Sequence, residues 1–182
     1  MIGTILIVIA GFFALIIVIG IFIPSKYQFS KSIIINADKK LIFNTIDDVT
    51  TWKNWSAWSK ENDPKIEITY GEITSSTGAI MEWKGKRMGK GKMEIIKTDP
   101  YKEIVTKASF NKGIFKMDFT FLLEEIKEKE ISVKWIVSGR TRRSGFAKIL
   151  GRMLPKWMGS DMATSLKVLK HLTEENLRKN EN

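Results

Sequence analysis

The chain has 182 residues, no Cys and one His, with 30 Lys+Arg against 20 Asp+Glu for a formal net charge of +10. That length suits one domain with a sizeable core, and the missing Cys excludes disulfides, thiolate metal ligands and a cysteine nucleophile, while a lone His excludes a His-rich metal centre. The charge leaves three classes of partner open: nucleic acid, an acidic protein and an anionic membrane.

The chain begins with an uncharged apolar run, Ile2 to Ile23. As a helix it measures about 33 Å, against about 30 Å for a hydrocarbon core. A cleaved signal peptide would need a basic start, a shorter apolar run and a small-residue cleavage site. None of these is present around Phe22-Ile23-Pro24-Ser25-Lys26. The expectation is an uncleaved transmembrane anchor over 1–24, followed by one domain over 25–182. Lys26, Lys31, Lys39 and Lys40 follow the run and nothing basic but the α-amino group precedes it. The positive-inside rule then predicts a single-pass cell-membrane protein with a cytoplasmic C-terminal domain.

Period-2 alternation dominates the middle of the chain. A first strand is predicted over Tyr27–Asn36, and Asp38 then caps a helix reaching about Asp48. Trp52, Trp55 and Trp58 follow at spacings of three. Further strands are predicted at Ile66-x-Ile68-x-Tyr70, Met81-x-Trp83, Met93-x-Ile95 and Ile104 to Phe110. The clearest is Phe115-x-Met117-x-Phe119-x-Phe121-x-Leu123, and Ile131-x-Val133-x-Trp135-x-Val137 is the last. Gly, Asn and Asp-Pro turn signals separate them. A short helix is predicted over Phe146–Leu154. A long one runs from about Lys156 to Lys179, with Met158, Met162, Leu166, Leu169 and Leu172 as its apolar stripe. The economical packing is α+β: an antiparallel meander with the long helix across its concave face.

Several residues carry a family resemblance. They are Ile35-Asn36-Ala37, Trp52-x-x-Trp55-x-x-Trp58, Asn62-Asp63-Pro64, Tyr70-Gly71, Gly78-Ala79, Trp83, Gly89-Lys90-Gly91, Pro100, Phe119-x-Phe121, Val133-Lys134-Trp135 and Gly139. In this pattern the chain resembles the SRPBCC superfamily (START-like, helix-grip fold), and within it the membrane-anchored polyketide cyclase-like proteins. That family usually has Pro before the third Trp, where this chain has Ala57. The resemblance implies a helix-grip domain, a seven-stranded antiparallel sheet wrapped on a long C-terminal helix, with strand 1 beside strand 7. It also implies a cavity between sheet and helix for apolar or lipid-like ligands, without implying one reaction.

The charge is not spread evenly. Lys84, Lys86, Arg87, Lys90 and Lys92 lie in one acid-free stretch, and Arg140, Arg142, Arg143, Lys148, Arg152 and Lys156 in another. Without those eleven the chain has nineteen basic and twenty acidic residues. In a meander alternate connections share an end, which puts both stretches, with Trp55 and Trp58, at one end; with strand 1 antiparallel to strand 7, as the resemblance implies, strand 1 also begins there. Glu124, Glu125, Glu128 and Glu130 fall at the other. The expected membrane-contact set is therefore Trp55, Trp58, Lys86, Arg87, Lys90, Arg140, Arg142 and Arg143, facing anionic lipid. Solvated loops remain the plain alternative. Nucleic acid is disfavoured, for no helix-turn-helix, RNP or zinc-finger motif is present.

The expected ligand-contact set is Trp83, Phe110, Phe119, Phe121, Trp135, Met158, Met162 and Leu166. Whether these line an open cavity or fill a core is not readable from alternation; the resemblance favours a cavity. The three Trp at spacing three suit core packing or a cavity rim. Gly85 to Gly91 lacks the Walker pattern and joins two strands, so it reads as a hairpin. No catalytic residue, metal ligand or cofactor is assigned, and the oligomeric state stays open. Three functions remain: a binding protein for a lipid or other apolar molecule, an enzyme acting on such a substrate in the same cavity, or an interaction module with a closed core.

Overall fold

The computed structural model describes residues 2–111, 113, 115–141 and 144–180. In chain order it forms α1 (Ile2–Phe22), β1 (Lys26–Asn36), α2 (Lys39–Asp47), a 3-10 turn (Val49–Thr51) and α3 (Trp52–Trp55). These are followed by β2 (Glu67–Tyr70), β3 (Ile80–Lys84), β4 (Lys90–Asp99), β5 (Glu103–Phe110), β6 (Phe115–Lys127), β7 (Glu130–Arg140) and α4 (Gly145–Asn180).

The strands form one seven-stranded sheet in the order β1-β7-β6-β5-β4-β3-β2, antiparallel at every pairing. Consecutive strands pair from β2 to β7, through a loop over residues 71–79 between β2 and β3 and short turns thereafter, and β1 closes on β7, with Lys26 opposite Arg140 and Asn36 opposite Glu130. Alternation sets the faces. On β6, Met117, Phe119, Phe121 and Leu123 are buried, while Lys116 is exposed and Asp118 and Thr120 are only partly covered. Asp38 caps α2 by accepting from the Lys40 amide at 2.6 Å, leaving Ile42, Phe43 and Ile46 on the buried face.

Helix α4 lies on β1 and reaches α2 and α3. Its far end is fastened to the sheet. Glu174 accepts from the Asn36 amide at 2.8 Å, and Lys170 donates to the Ile34 carbonyl at 2.8 Å. Met162, Leu166 and Leu169 enter the common core with the inward residues of β6 and β7.

Two sequence-based expectations change. The C-terminal region is one helix of 36 residues with Pro155 inside it, not a short helix followed by a long one. Tertiary packing along the continuous stripe outweighs the one hydrogen bond that Pro155 removes. The second change concerns the N-terminus. Among the described residues no helix is long and apolar enough to cross a membrane. A span needs about 20 successive apolar residues. Helix α1 packs against α4. The transmembrane helix expected over 1–24, and the single-pass cell-membrane placement with its cytoplasmic domain, are corrected accordingly.

Candidate ligand-binding cavity

The space between sheet and helix is divided. One part is solid with aromatic rings. Trp52 meets Trp55 at a centroid distance of 4.9 Å and Phe121 at 5.5 Å, and Phe121 meets Trp135 at 4.9 Å. Trp58 continues the lattice to Trp83 at 5.3 Å and to Phe119 at 5.9 Å. The Trp52 indole N–H donates to the Ile46 carbonyl at 2.8 Å, and that of Trp55 to Thr51 Oγ1 at 3.2 Å. Trp52 and Trp55 are thus fixed by packing and by their polar edges, whereas the buried Trp135 indole N–H has no hydrogen-bond partner.

The other part is open. A cavity of about 610 Å³ lies at the end of the sheet where β1 begins and β7 finishes. Trp58, Met117, Trp135 and Met162 form its buried floor. Ala147, Leu150, Gly151, Leu154 and Met158 of α4 form one wall. They recur at helical spacing, so a single face of α4 lines the cavity. Met88 and Phe110 close the opposite side. Exposed residues mark the mouth: Phe115 at 52% and Trp157 at 48%, with Asn111, Lys116, Arg140 and Asp161.

Three local devices shape this space. Gly91 has no side chain because the Trp83 ring lies on it; a Cβ there would collide with the ring. Gly139 leaves room for the Tyr27 phenol, and Gly151 lets α4 approach Thr141. Asp63 then fixes the β3–β4 hairpin that brings in Met88. Its carboxylate is 1% exposed and accepts from the Arg87 amide at 2.7 Å and the Met88 amide at 3.0 Å. Those bonds, that of Met88 foremost, hold the Asp63 carboxyl below its ordinary pKa, with smaller help from the Lys65 amide and the Arg87 charge. The Arg87 guanidinium donates to the Asn62 carbonyl at 2.7 Å. Burial, with a smaller contribution from the charge of Asp118, raises the Tyr27 phenol above its ordinary value.

Of the expected ligand-contact residues, Phe110, Trp135, Met158 and Met162 line the cavity. Trp83, Phe119, Phe121 and Leu166 do not: each is at most 3% exposed and lies in the packed core. Of the expected membrane-contact residues, Lys86, Arg87, Lys90 and Arg140 are exposed. Trp55 and Trp58 are 2% and 5% exposed, held inside by the aromatic lattice, with Trp58 on the cavity floor. Arg142 and Arg143 lie outside the described residues. Sequence reasoning missed Tyr27, Ala57, Met88, Leu150, Leu154 and Trp157. For the helical three, a stripe running through Pro155 was the available signal. Among the described residues no group of three or more His, Asp or Glu is placed to hold a metal ion.

No protein-family model matches the chain, and no curated protein matches it by sequence. Solved structures do match. Norcoclaurine synthase from Thalictrum flavum, studied with a transition-state analogue, superposes with TM-score 0.65 at 13% identity, over 83% of this chain and 96% of that one. The di-domain ARO/CYC from the BE-7585A biosynthetic pathway gives TM-score 0.59 at 13% identity, over 82% of this chain and 46% of that one. The Aha1 dimer from Colwellia psychrerythraea gives 0.55 at 18% identity, over 81% and 96%. The chain therefore shares the fold of these structures, a helix-grip arrangement of a seven-stranded antiparallel sheet and a long C-terminal helix. At these identities the likeness concerns the fold alone.

Proposed function

We propose that this chain is a binding protein for an apolar small molecule, lipids included, held between the sheet and the first half of α4. The observation that carries the reading is the cavity of about 610 Å³ with an aromatic and Met floor. That volume is within the range of small-molecule sites, about 300–1,000 Å³, and Met side chains adapt to irregular ligands. A closed-core interaction module would have no space of that size. The enzyme reading asks for a buried acid–base pair. Among the described lining residues Lys116, Arg140 and Asp161 are exposed at the mouth, and Tyr27 is the half-buried ionisable group. That composition favours binding over chemistry.

The test is a titration of the chain with an apolar fluorophore, alongside the variants Ala147→Phe and Met158→Trp, which fill the cavity from one wall. The expected result is binding by the parent chain and a loss of affinity of about tenfold or more in each variant at unchanged thermal stability, since one displaced apolar contact of roughly 1.5–3 kcal/mol is at stake. Equal affinity in all three chains would sink the reading.

A further inference from the structure

The face around the cavity mouth carries a combination of groups that the enclosed site does not explain. Large apolar side chains there are open to solvent: Phe115 at 52%, Trp157 at 48% and Met153 at 40%. Phe115 and Trp157 stand on the rim itself. Met153 and Trp157 are four residues apart, so they share one strip of α4, beside the strip that lines the cavity. Arg152 and Lys156, also four apart and both exposed, form the next strip round the helix. Across the mouth the β3–β4 hairpin presents exposed Lys86, Arg87 and Lys90 on either side of Met88, and β7 ends there with exposed Arg140.

The register confirms that these groups share one end of the sheet. Gly91 pairs with Phe110, Phe110 with Phe115, Met117 with Gly139, and Lys26 with Arg140. Of the opposing charge at this end, Glu67 is paired with Lys84 at 3.8 Å and Asp118 is partly covered. Asp161 is the acidic residue among those lining the cavity, and Asp63 is buried under the hairpin with its carboxylate occupied by backbone amides. Glu124, Glu125 and Glu128 are exposed near the β6–β7 turn, at the opposite end.

Exposed aromatic and Met side chains ringed by cations match one kind of surface: apolar just below, anionic on top. Nucleic acid and acidic protein would use the charge but leave Phe115, Met153 and Trp157 without a complement. We infer that the mouth of the cavity docks on the surface of an anionic lipid bilayer, with Phe115, Met153 and Trp157 entering the interface and the basic residues facing the headgroups. The inference concerns this face of the domain and makes no use of α1. Docked in this way, the cavity opens onto the bilayer, and an apolar ligand exchanges without crossing water.

Trp157 makes the test specific. The other five Trp are each at most 5% exposed. The full chain is mixed with vesicles whose acyl chains carry bromine, which quenches indole on contact. One set is phosphatidylcholine alone and the other contains phosphatidylglycerol. The expected result is strong quenching by the anionic vesicles, weak quenching by the neutral ones, and relief by salt. Trp157→Phe removes most of the signal. In Arg152→Gln and Lys156→Gln, where exposed side chains leave folding intact, binding falls about fivefold per charge removed, and Asp161→Asn raises it by a similar factor. Equal quenching by the two vesicle types, or quenching that survives Trp157→Phe unchanged, overturns the inference. So does capture of a DNA duplex with Trp157 unquenched by lipid. Each of these outcomes leaves the cavity titration above intact, because that assay contains no vesicles.

Discussion

Asp63 shows how single residues build this site. Its carboxylate holds the amides of Arg87 and Met88, and Gly85 permits the approach, since a Cβ there would collide with the carboxylate. Replacing Asp63 with Asn or Gly85 with Ala loosens the hairpin and lowers the melting temperature, measured by circular dichroism. The pH dependence follows from the lowered pKa of Asp63 in the folded chain. Folding is favoured in full above the unfolded carboxylate value of about 4. The benefit falls away as acid takes the pH down through the folded value. Asp63→Asn flattens that part of the stability profile, and a variant with the parent's acid slope would contradict the assignment. Gly91→Ala, which drives a methyl into the Trp83 ring, costs about 1–3 kcal/mol in denaturant unfolding. These roles were only partly legible. Asn62-Asp63-Pro64 stood out as part of the family resemblance, but a carboxylate reaching 24 residues ahead to Arg87 leaves no periodic trace.

At the scale of elements, alternation was enough to locate the strands, because each has one buried face. It does not say how far along a strand the core stops. Phe119 and Phe121 share the inward face with Met117, yet only Met117 lines the cavity. The difference is made by the Trp residues that follow α2: Trp52 and Trp55 pack on Phe121, and Trp58 packs on Phe119. Such filling depends on three-dimensional proximity and is invisible in spacing. Helix α4 carries the opposite lesson. Pro155 reads locally as a break, but the apolar stripe on both sides of it faces one continuous groove. The residue still removes a hydrogen bond and crowds the carbonyl of Gly151. Pro155→Ala therefore stabilises the fold by about 1–3 kcal/mol, read by denaturant unfolding. An unchanged or lowered stability would mean that α4 needs the distortion.

At the scale of the molecule, the sheet order separates function from support. One end carries the cavity, the basic β3–β4 hairpin and Arg140 at the close of β7. The other end carries the glutamates and the ties that hold α4 down, Glu174 to Asn36 and Lys170 to Ile34. Alternate connections in a meander give the polarity of charge, and in the register the β3–β4 hairpin, the β5–β6 turn, the start of β1 and the close of β7 share one end. The apolar start of the chain was less informative. Composition suggested a span, and among the described residues no helix satisfies one.

The central claim is that the space under α4 is a ligand site. Native mass spectrometry of the purified 182-residue chain tests it most directly, with Ala147→Phe run beside it. The account predicts a population of the parent heavier by one small apolar molecule, released on activation, and its loss in the variant. A parent chain that appears only at its own mass under every extraction condition, or a variant that retains the same adduct, would contradict it.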